Sequence, residues 1–345
     1  MAARQAATAS NVVVEDSVAT PAAGAAAPGA TRDGDLDADL ERRFGGLRRL
    51  WGDAAYQRVR AARVAVVGVG GVGSWAVEAL ARCGVAELVL IDFDQVAESN
   101  INRQVQALGD TVGAAKVTAL ARRIADIHPG CRVHEVEQFV EAPLNPPADS
   151  GVAPQPGNWP AVLPIEVDVV IDACDQGAAK LTLAAWSLAG HGRLVIAGAA
   201  GGKTRPQAID VADLAEVTHD PLLATLRQRV RRLLRDQAGA ALEAGRPLAV
   251  RKAKAKQAKQ ANQADLLGLR CVFSREAVVR PGTDASCALD VAPPTAVDDV
   301  SAATPSAMPG PTGLNCAGYG SSVMVTASMG LAAAEEALRL VRGAR

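Results

Sequence analysis

The sequence predicts an α/β fold built on a doubly wound, mostly parallel sheet, and three observations carry that expectation. Residues 63–92 read as strand, glycine-rich turn, helix and strand within the roughly 30 residues that one β-α-β unit needs. Short apolar runs and helical periodicities continue to alternate as far as Ala197. Helical patterns also precede the first strand, so N-terminal helices are expected ahead of the sheet.

The elements follow in order. Residues 1–38 are low in complexity and poor in large apolar groups, so a disordered tail is expected: too little apolar surface is available to offset the ordering entropy. From Asp39 a helical pattern places Leu40, Phe44, Leu47 and Leu50 on one face and stops near Gly52, and a second helix carries Ala55, Val59 and Ala62. Arg63–Gly68 is an apolar run closed by glycine, Ser74–Cys83 has helical spacing through Trp75, Val77, Ala79 and Leu80, and Glu87–Asp92 is a second strand. A helix over 113–127, strands over Cys131–Val136 and Val167–Asp172, a helix over 178–189 and a strand over Arg193–Ala197 complete the alternation. Another helix is expected after Pro221, and Cys271 is expected to be buried in a strand within Arg270-Cys-Val-Phe. Val323–Ala334 is apolar but short and runs into Glu335 and Glu336, so it reads as a core helix and not as a membrane span. The domain is expected to occupy 39–345, with surface insertions at about 142–164 (seven prolines), 250–264 (Lys/Ala/Gln) and 281–313 (Pro, Ala, Ser and Thr).

Charge totals of 36 Lys+Arg and 37 Asp+Glu would by themselves argue against a nucleic-acid partner, but they conceal two opposed blocks. Residues 1–41 hold seven acidic and two basic side chains, and residues 227–259 hold eleven basic and two acidic ones. Arg227, Arg229, Arg231, Arg232 and Arg235 fall on the helix after Pro221, as either a phosphate-contacting face or a solvated one. The six cysteines are too widely spaced for any C-x-x-C pair, which removes the usual zinc and dithiol signatures. With no basic, apolar leader at the N-terminus, a cytoplasmic protein with reduced thiols is expected.

The chemistry-bearing residues cluster after the first two strands. Gly68-Val-Gly70-Gly71-Val-Gly73 fits G-x-G-x-x-G between strand and helix, where a tight turn and helix N–H groups can receive a phosphate of NAD, FAD or ATP alike. Asp92, 24 residues after Gly68, stands where a carboxylate accepts ribose hydroxyls. Asp94, Asn100, Asn102, Arg103, Gln104 and Lys116 then add a density of charge and amide that suits a triphosphate with magnesium better than hydride transfer; a solvated polar loop is the plainer alternative. None of His128, His134, His191 and His219 has a motif partner.

The order G-V-G-G-V-G, D-F-D, S-N-I-N-R-Q, G-A-A-K and I-D-A-C-D resembles the adenylation site of the ubiquitin-activating-like superfamily, which includes the adenylating enzymes of thiamine and molybdopterin sulfur-carrier pathways. The segments Arg43-Phe-Gly-Gly, Gly198–Gly202, Asp220-Pro-Leu, Asp265 to Ser274 and Asn315-Cys-Ala-Gly-Tyr-Gly resemble the tRNA threonylcarbamoyladenosine dehydratases, over about 42–345 apart from the insertions. The resemblance implies a Rossmann-like fold and a homodimeric enzyme using ATP and Mg2+ to adenylate a carboxylate on tRNA. The ureido group of the same nucleoside would then close a ring with loss of water. It implies a phosphate turn of Gly68, Gly70, Gly71 and Gly73, ribose binding by Asp92, metal and phosphate contact by Asp94 and Asp175, and stabilisation of the triphosphate by Asn100, Arg103 and Lys116, with Gln104 behind them. Asn100, Arg103, Lys116 and Asp175 form the implied catalytic set.

Two positions depart from the superfamily pattern: Gln176 stands where Asn is frequent, and the N-terminal arginine could be Arg43, Arg48 or Arg49. The missing C-x-x-C pairs weigh against the rival expectation, an adenylyltransferase for the C-terminus of a sulfur-carrier protein. A noncatalytic partner in sulfur transfer, or an enzyme with a sulfur-transfer protein partner, is the remaining expectation.

Overall fold

The structure is a computed structural model, and it describes residues 33–144, 153, 155–243, 266–279 and 319–343. Two helices, α1 (Asp33–Trp51) and α2 (Asp53–Arg60), lead into β1 (Arg63–Val67), α3 (Gly73–Arg82), β2 (Glu87–Ile91), α4 (Lys116–Ile127) and β3 (Arg132–Val136). The second half runs β4 (Val169–Asp172), α5 (Gly177–Leu188), β5 (Leu194–Ala197), β6 (Ile209–Asp213), α6 (Pro221–Glu243), β7 (Arg270–Ser274) and α7 (Val323–Arg342). The seven strands are ordered β3-β2-β1-β4-β5-β7-β6, all neighbours parallel except the antiparallel pair β6 and β7.

The period of two along each strand divides the core. Val64 and Val66 of β1 join Leu88, Leu90, Ile171 and Val195 under α3, α4 and α7, whereas Ala65 and Val67 join Val89, Ile91, Val170 and Ile196 under α5 and α6. Both faces are covered, so the central strands are apolar runs with no polar alternation. The expected core helix is α7, which buries Val325, Met329, Ala333, Ala334 and Ala337. Its approach to α3 is so close that a Cβ at Gly330 would lie 2.4 Å from Val72 O. No described helix is long and apolar enough to cross a membrane.

Three expectations are corrected and one strand is added. Helix α1 starts at Asp33, inside the segment expected to be a tail, while residues 1–32 lie outside the described residues. The sequence there reads Asp33-Gly-Asp35-Leu-Asp37, and acidic residue types favour a helix N-terminus, a signal that apolar periodicity does not carry. Helix α4 starts at Lys116 and not at 113, because Gly113 has φ +86° and Ala115 bridges to Gln95. Strand β6 was not expected; two of the five residues of Ile-Asp-Val-Ala-Asp are polar, as suits an edge strand. The 142–164 insertion is partly packed: Trp159 lies edge-on to Trp186 with centroids 5.4 Å apart, and Val162 and Leu163 rest on the α5–α6 core. The insertions at 250–264 and 281–313 lie outside the described residues.

Candidate active site

Chain direction across the sheet reverses between β1 and β4, and at that switch point, beyond the C-terminal strand ends, a cavity of about 490 Å³ opens. Its floor is the turn after β1. Gly68 has φ +81° and a Cβ there would lie 2.8 Å from Cys174 Cα, while a Cβ on Gly73 would lie 1.8 Å from Gly68 O. Only glycine fits at either position. Ser74 N then donates to Gly70 O at 3.0 Å and α3 begins.

The turn is tied to β2 through Asp92, which is 8% exposed: Oδ2 accepts Val69 N at 2.8 Å and Oδ1 accepts Asp94 N at 2.9 Å. Burial pushes the Asp92 carboxyl above its ordinary value, against the opposing effects of Lys116 and the two N–H donors. Lys116 Nζ lies 2.7 Å from Asp94 Oδ2 and 4.0 Å from Asp92 Oδ1, and its backbone N donates to Asp94 O at 3.0 Å.

Arg103 is held from three sides. Its carbonyl accepts Trp75 Nε1 of α3 at 3.0 Å and Thr326 Oγ1 of α7 at 3.3 Å, and its Nη1 donates to Ser99 O at 2.6 Å and Asn102 Oδ1 at 2.9 Å. These acceptors are neutral, so the guanidinium keeps its net charge for an anion. Gln104 is positioned by Gln106, whose Nε2 donates to Gln104 Oε1 at 3.1 Å and to Val69 O at 3.0 Å.

Gly68, Gly70, Gly71, Asp92 and Asp94 line this cavity, as do Arg103, Gln104, Lys116 and the exposed Asp175. Gly73 and Asn100 do not. Gly73 closes the turn from behind. Asn100 is buried in the loop, where its Oδ1 accepts Ala97 N at 3.1 Å and its carbonyl accepts the N–H groups of Arg103 and Gln104. Its place is to shape the segment that carries Arg103.

Beneath the cavity lies a buried network that the sequence did not announce. Lys180 Nζ is 3.1 Å from Asp172 Oδ1 and donates to Ala197 O at 2.8 Å, with neither side chain exposed. Cys174 Sγ donates to the same Oδ1 at 3.1 Å. The available signal was a lysine in the otherwise apolar run Ala178-Ala-Lys180-Leu. A second buried pair, Lys203 with Asp220 at 3.5 Å, supports the opposite wall: Asp220 accepts Ala199 N at 2.8 Å and caps α6 through Leu223 N at 3.0 Å.

Burial pushes the thiols of Cys174 and Cys271 well above the ordinary cysteine value, so neither presents a thiolate. His128 packs against Phe44, and burial lowers its pKa to about 4. Arg43 is engaged by Asp39 at 2.6 Å and Arg48 by Asp53 at 2.6 Å, while Arg49 is exposed.

No group of three or more His, Cys, Asp or Glu among the described residues could hold a metal ion. The two carboxylates Asp94 and Asp175 suit a magnesium ion held largely by phosphate oxygens and water, since Mg2+ seldom takes an all-protein cage.

A family model described as ThiF family matches residues 45–345. The chain is 38% identical over 300 residues to the tRNA threonylcarbamoyladenosine dehydratase of Escherichia coli (strain K12), spanning 86% of this chain and 92% of that protein. It is 39% identical over 194 residues to the protein of that name from Haemophilus influenzae, spanning 56% of this chain and 69% of that one. The solved structure of the E. coli tRNA N6-threonylcarbamoyladenosine dehydratase in complex with ATP matches with a TM-score of 0.62 at 33% identity, over 90% of this chain and 96% of that one.

Proposed function

The chain belongs to the ThiF family, and from that premise we propose that it is an ATP-dependent enzyme that dehydrates threonylcarbamoyladenosine in tRNA to a cyclic form through an acyl adenylate. One observation carries this reading: a single cavity is walled by the Gly68–Gly71 turn, the Asp92 carboxylate and the two cations Arg103 and Lys116. ATP fits these groups, with phosphates against the turn and ribose hydroxyls donating to Asp92.

The substrate carboxylate attacks the α-phosphorus, the bond to pyrophosphate breaks, and the charge gathering on the leaving group meets Arg103 and Lys116. The ureido group of the same nucleoside then attacks the activated carbonyl and gives up a proton as AMP leaves, so one water is lost overall. Attack within one nucleoside is favoured by proximity and needs no protein nucleophile, which agrees with the protonated state of Cys174 and Cys271.

Asp94 and Asp175 would hold magnesium together with phosphate oxygens, and the ion would offset triphosphate charge. The reading extends to a cytoplasmic homodimer. Exposed Ile101 and Met324, beside the Asn102 to Ser321 hydrogen bond near Arg103, support an interface there. A sulfur-transfer protein partner rests on the motif resemblance alone.

The test is ATP–pyrophosphate exchange and AMP release with threonylcarbamoyl-modified and unmodified tRNA, followed by nucleoside mass analysis. Exchange and loss of water are expected only with modified tRNA, and Arg103→Ala is expected to abolish both. Absence of exchange with either tRNA would sink the reading and transfer it to a carrier-protein carboxylate.

A further inference from the structure

The cavity has two halves, and the groups that ATP fits stand in one of them. The Gly68–Gly71 turn follows β1, Asp92 and Asp94 follow β2, and Phe139 and Val140 follow β3. The other half lies beyond the ends of β5 and β7, walled by Ala199, Ala200, Gly201, Leu222, Val278 and Tyr319. Three strand steps separate β2 from β5, which puts about 14 Å between the two strand ends. The halves meet at the phosphate turn, where a Cβ on Gly71 would lie 3.1 Å from Thr326 Cγ2 of α7.

None of those six side chains is charged, so a triphosphate finds no cation there. What this half offers is a ring and unused backbone donors. Of the chain's two tyrosines, Tyr56 is buried and donates to Glu41 Oε2 at 3.0 Å. Tyr319 is half-buried at the cavity wall, and its hydroxyl has no hydrogen-bond partner among the described residues. The ring packs on Gly202, whose φ is +71°: a Cβ there would lie 3.2 Å from Tyr319 Cδ1. Gly202 N donates to Gly320 O at 2.8 Å and Gly202 O accepts Val279 N at 2.9 Å, which ties the two segments together. Ala200 N and Gly201 N have no acceptor among the described residues.

We infer that this half is the nucleoside subsite: the purine of threonylcarbamoyladenosine lies against the Tyr319 ring, and its carboxylate reaches the phosphate turn past the N–H groups of Ala200 and Gly201. This rests on the tRNA reading above and names the residue that selects the base. A purine carrying a planar ureido group is flat and uncharged, which suits a ring in an apolar wall, and the carboxylate at its far end needs donors. A glycine-ended protein tail would use the N–H groups but would leave the ring face without a purpose.

The full-length protein is assayed for AMP release and nucleoside dehydration with threonylcarbamoyl-modified tRNA, as wild type, Tyr319→Leu, Tyr319→Phe and Ala200→Leu. Melting temperature is checked for each, and ATP affinity is measured separately without tRNA. Tyr319→Leu removes the ring face and is expected to raise the tRNA KM about tenfold, whereas Tyr319→Phe keeps the face and should stay near the wild-type value. Ala200→Leu leaves the ring in place but fills the space beside it, and is expected to lower tRNA turnover at least about tenfold; it decides the question if Tyr319→Leu does not fold. ATP affinity is expected to be unchanged in all three. A wild-type tRNA KM in Tyr319→Leu, an equal rise in Tyr319→Leu and Tyr319→Phe, or unchanged tRNA turnover in Ala200→Leu would overturn the inference alone. So would a fall in ATP affinity that matches the tRNA effect, which would return the ring to the nucleotide half. A wild-type protein that does not convert modified tRNA would overturn the inference together with the tRNA reading.

Discussion

Lys180 and Asp172 form an ion pair, Nζ to Oδ1 3.1 Å, with no exposed surface on either side chain, directly under the segment that carries Cys174 and Asp175. Burial would lower the lysine pKa, but Asp172 outweighs it and the net shift is upward. Through the lysine the pair stabilises the fold at neutral pH, and that contribution is lost as pH rises through the raised value. Lys180→Met, which leaves the carboxylate buried alone, is expected to lower stability by about 3–5 kcal/mol in urea unfolding. Lys180→Met with Asp172→Leu is expected to recover most of the loss. Equal stability for the single and the double variant would show that the two charges are not coupled.

Asp92→Asn keeps the shape but replaces an anionic acceptor facing the cavity. A rise in the KM for ATP of about 10–100-fold is expected in pyrophosphate exchange, the worth of a charge-assisted hydrogen bond. Because the Asp92 pKa is raised, ATP affinity in the wild type should begin to fall at a higher pH than an exposed aspartate would allow. An unchanged ATP KM in the variant would remove Asp92 from the ribose site.

Gly73→Ala forces a Cβ to within 1.8 Å of Gly68 O, so the turn must shift and pull the phosphate site with it. Turnover is expected to drop about a hundredfold. At Gly109, where a Cβ would meet nothing within 4 Å, alanine is the control and should leave turnover intact.

Cys174→Ala and Cys271→Ala are each expected to retain adenylation and ring closure, because burial keeps both thiols protonated. Loss of turnover in Cys271→Ala with folding and ATP binding preserved would require a covalent intermediate and end direct cyclisation.

Glu78 is buried, which would raise its pKa, but hydrogen bonds from Arg123 and Arg82 hold it below its ordinary 4.5. A lowered carboxylate contributes stability above the ordinary value and loses it as pH falls toward the folded one. Thermal melts from pH 6 down to about pH 3 should therefore show a smaller loss in Glu78→Gln than in the wild type. Parallel losses would assign the acid sensitivity elsewhere, Glu336 being the next buried carboxylate with two arginine partners.

The sequence by itself determined the parallel sheet from β1 to β5, the glycine turn and the polar loop through Lys116, because each rests on neighbours in the chain. An apolar run buried on both faces, a helical repeat and a G-x-G-x-x-G turn are all local patterns. Tertiary structure alone decided what that pattern could not carry. Thr326 reaches Arg103 across 223 residues and Glu276 accepts the backbone N of Thr204 across 72, contacts that no window along the chain contains. Strand β6 exists because β7 offers an edge, and Lys180 is an ion-pair partner only because α5 lies over the end of β4. Asn100 marks the limit: its place in the motif was legible, but its side chain is buried in the loop behind Arg103, accepting Ala97 N, and does not line the cavity.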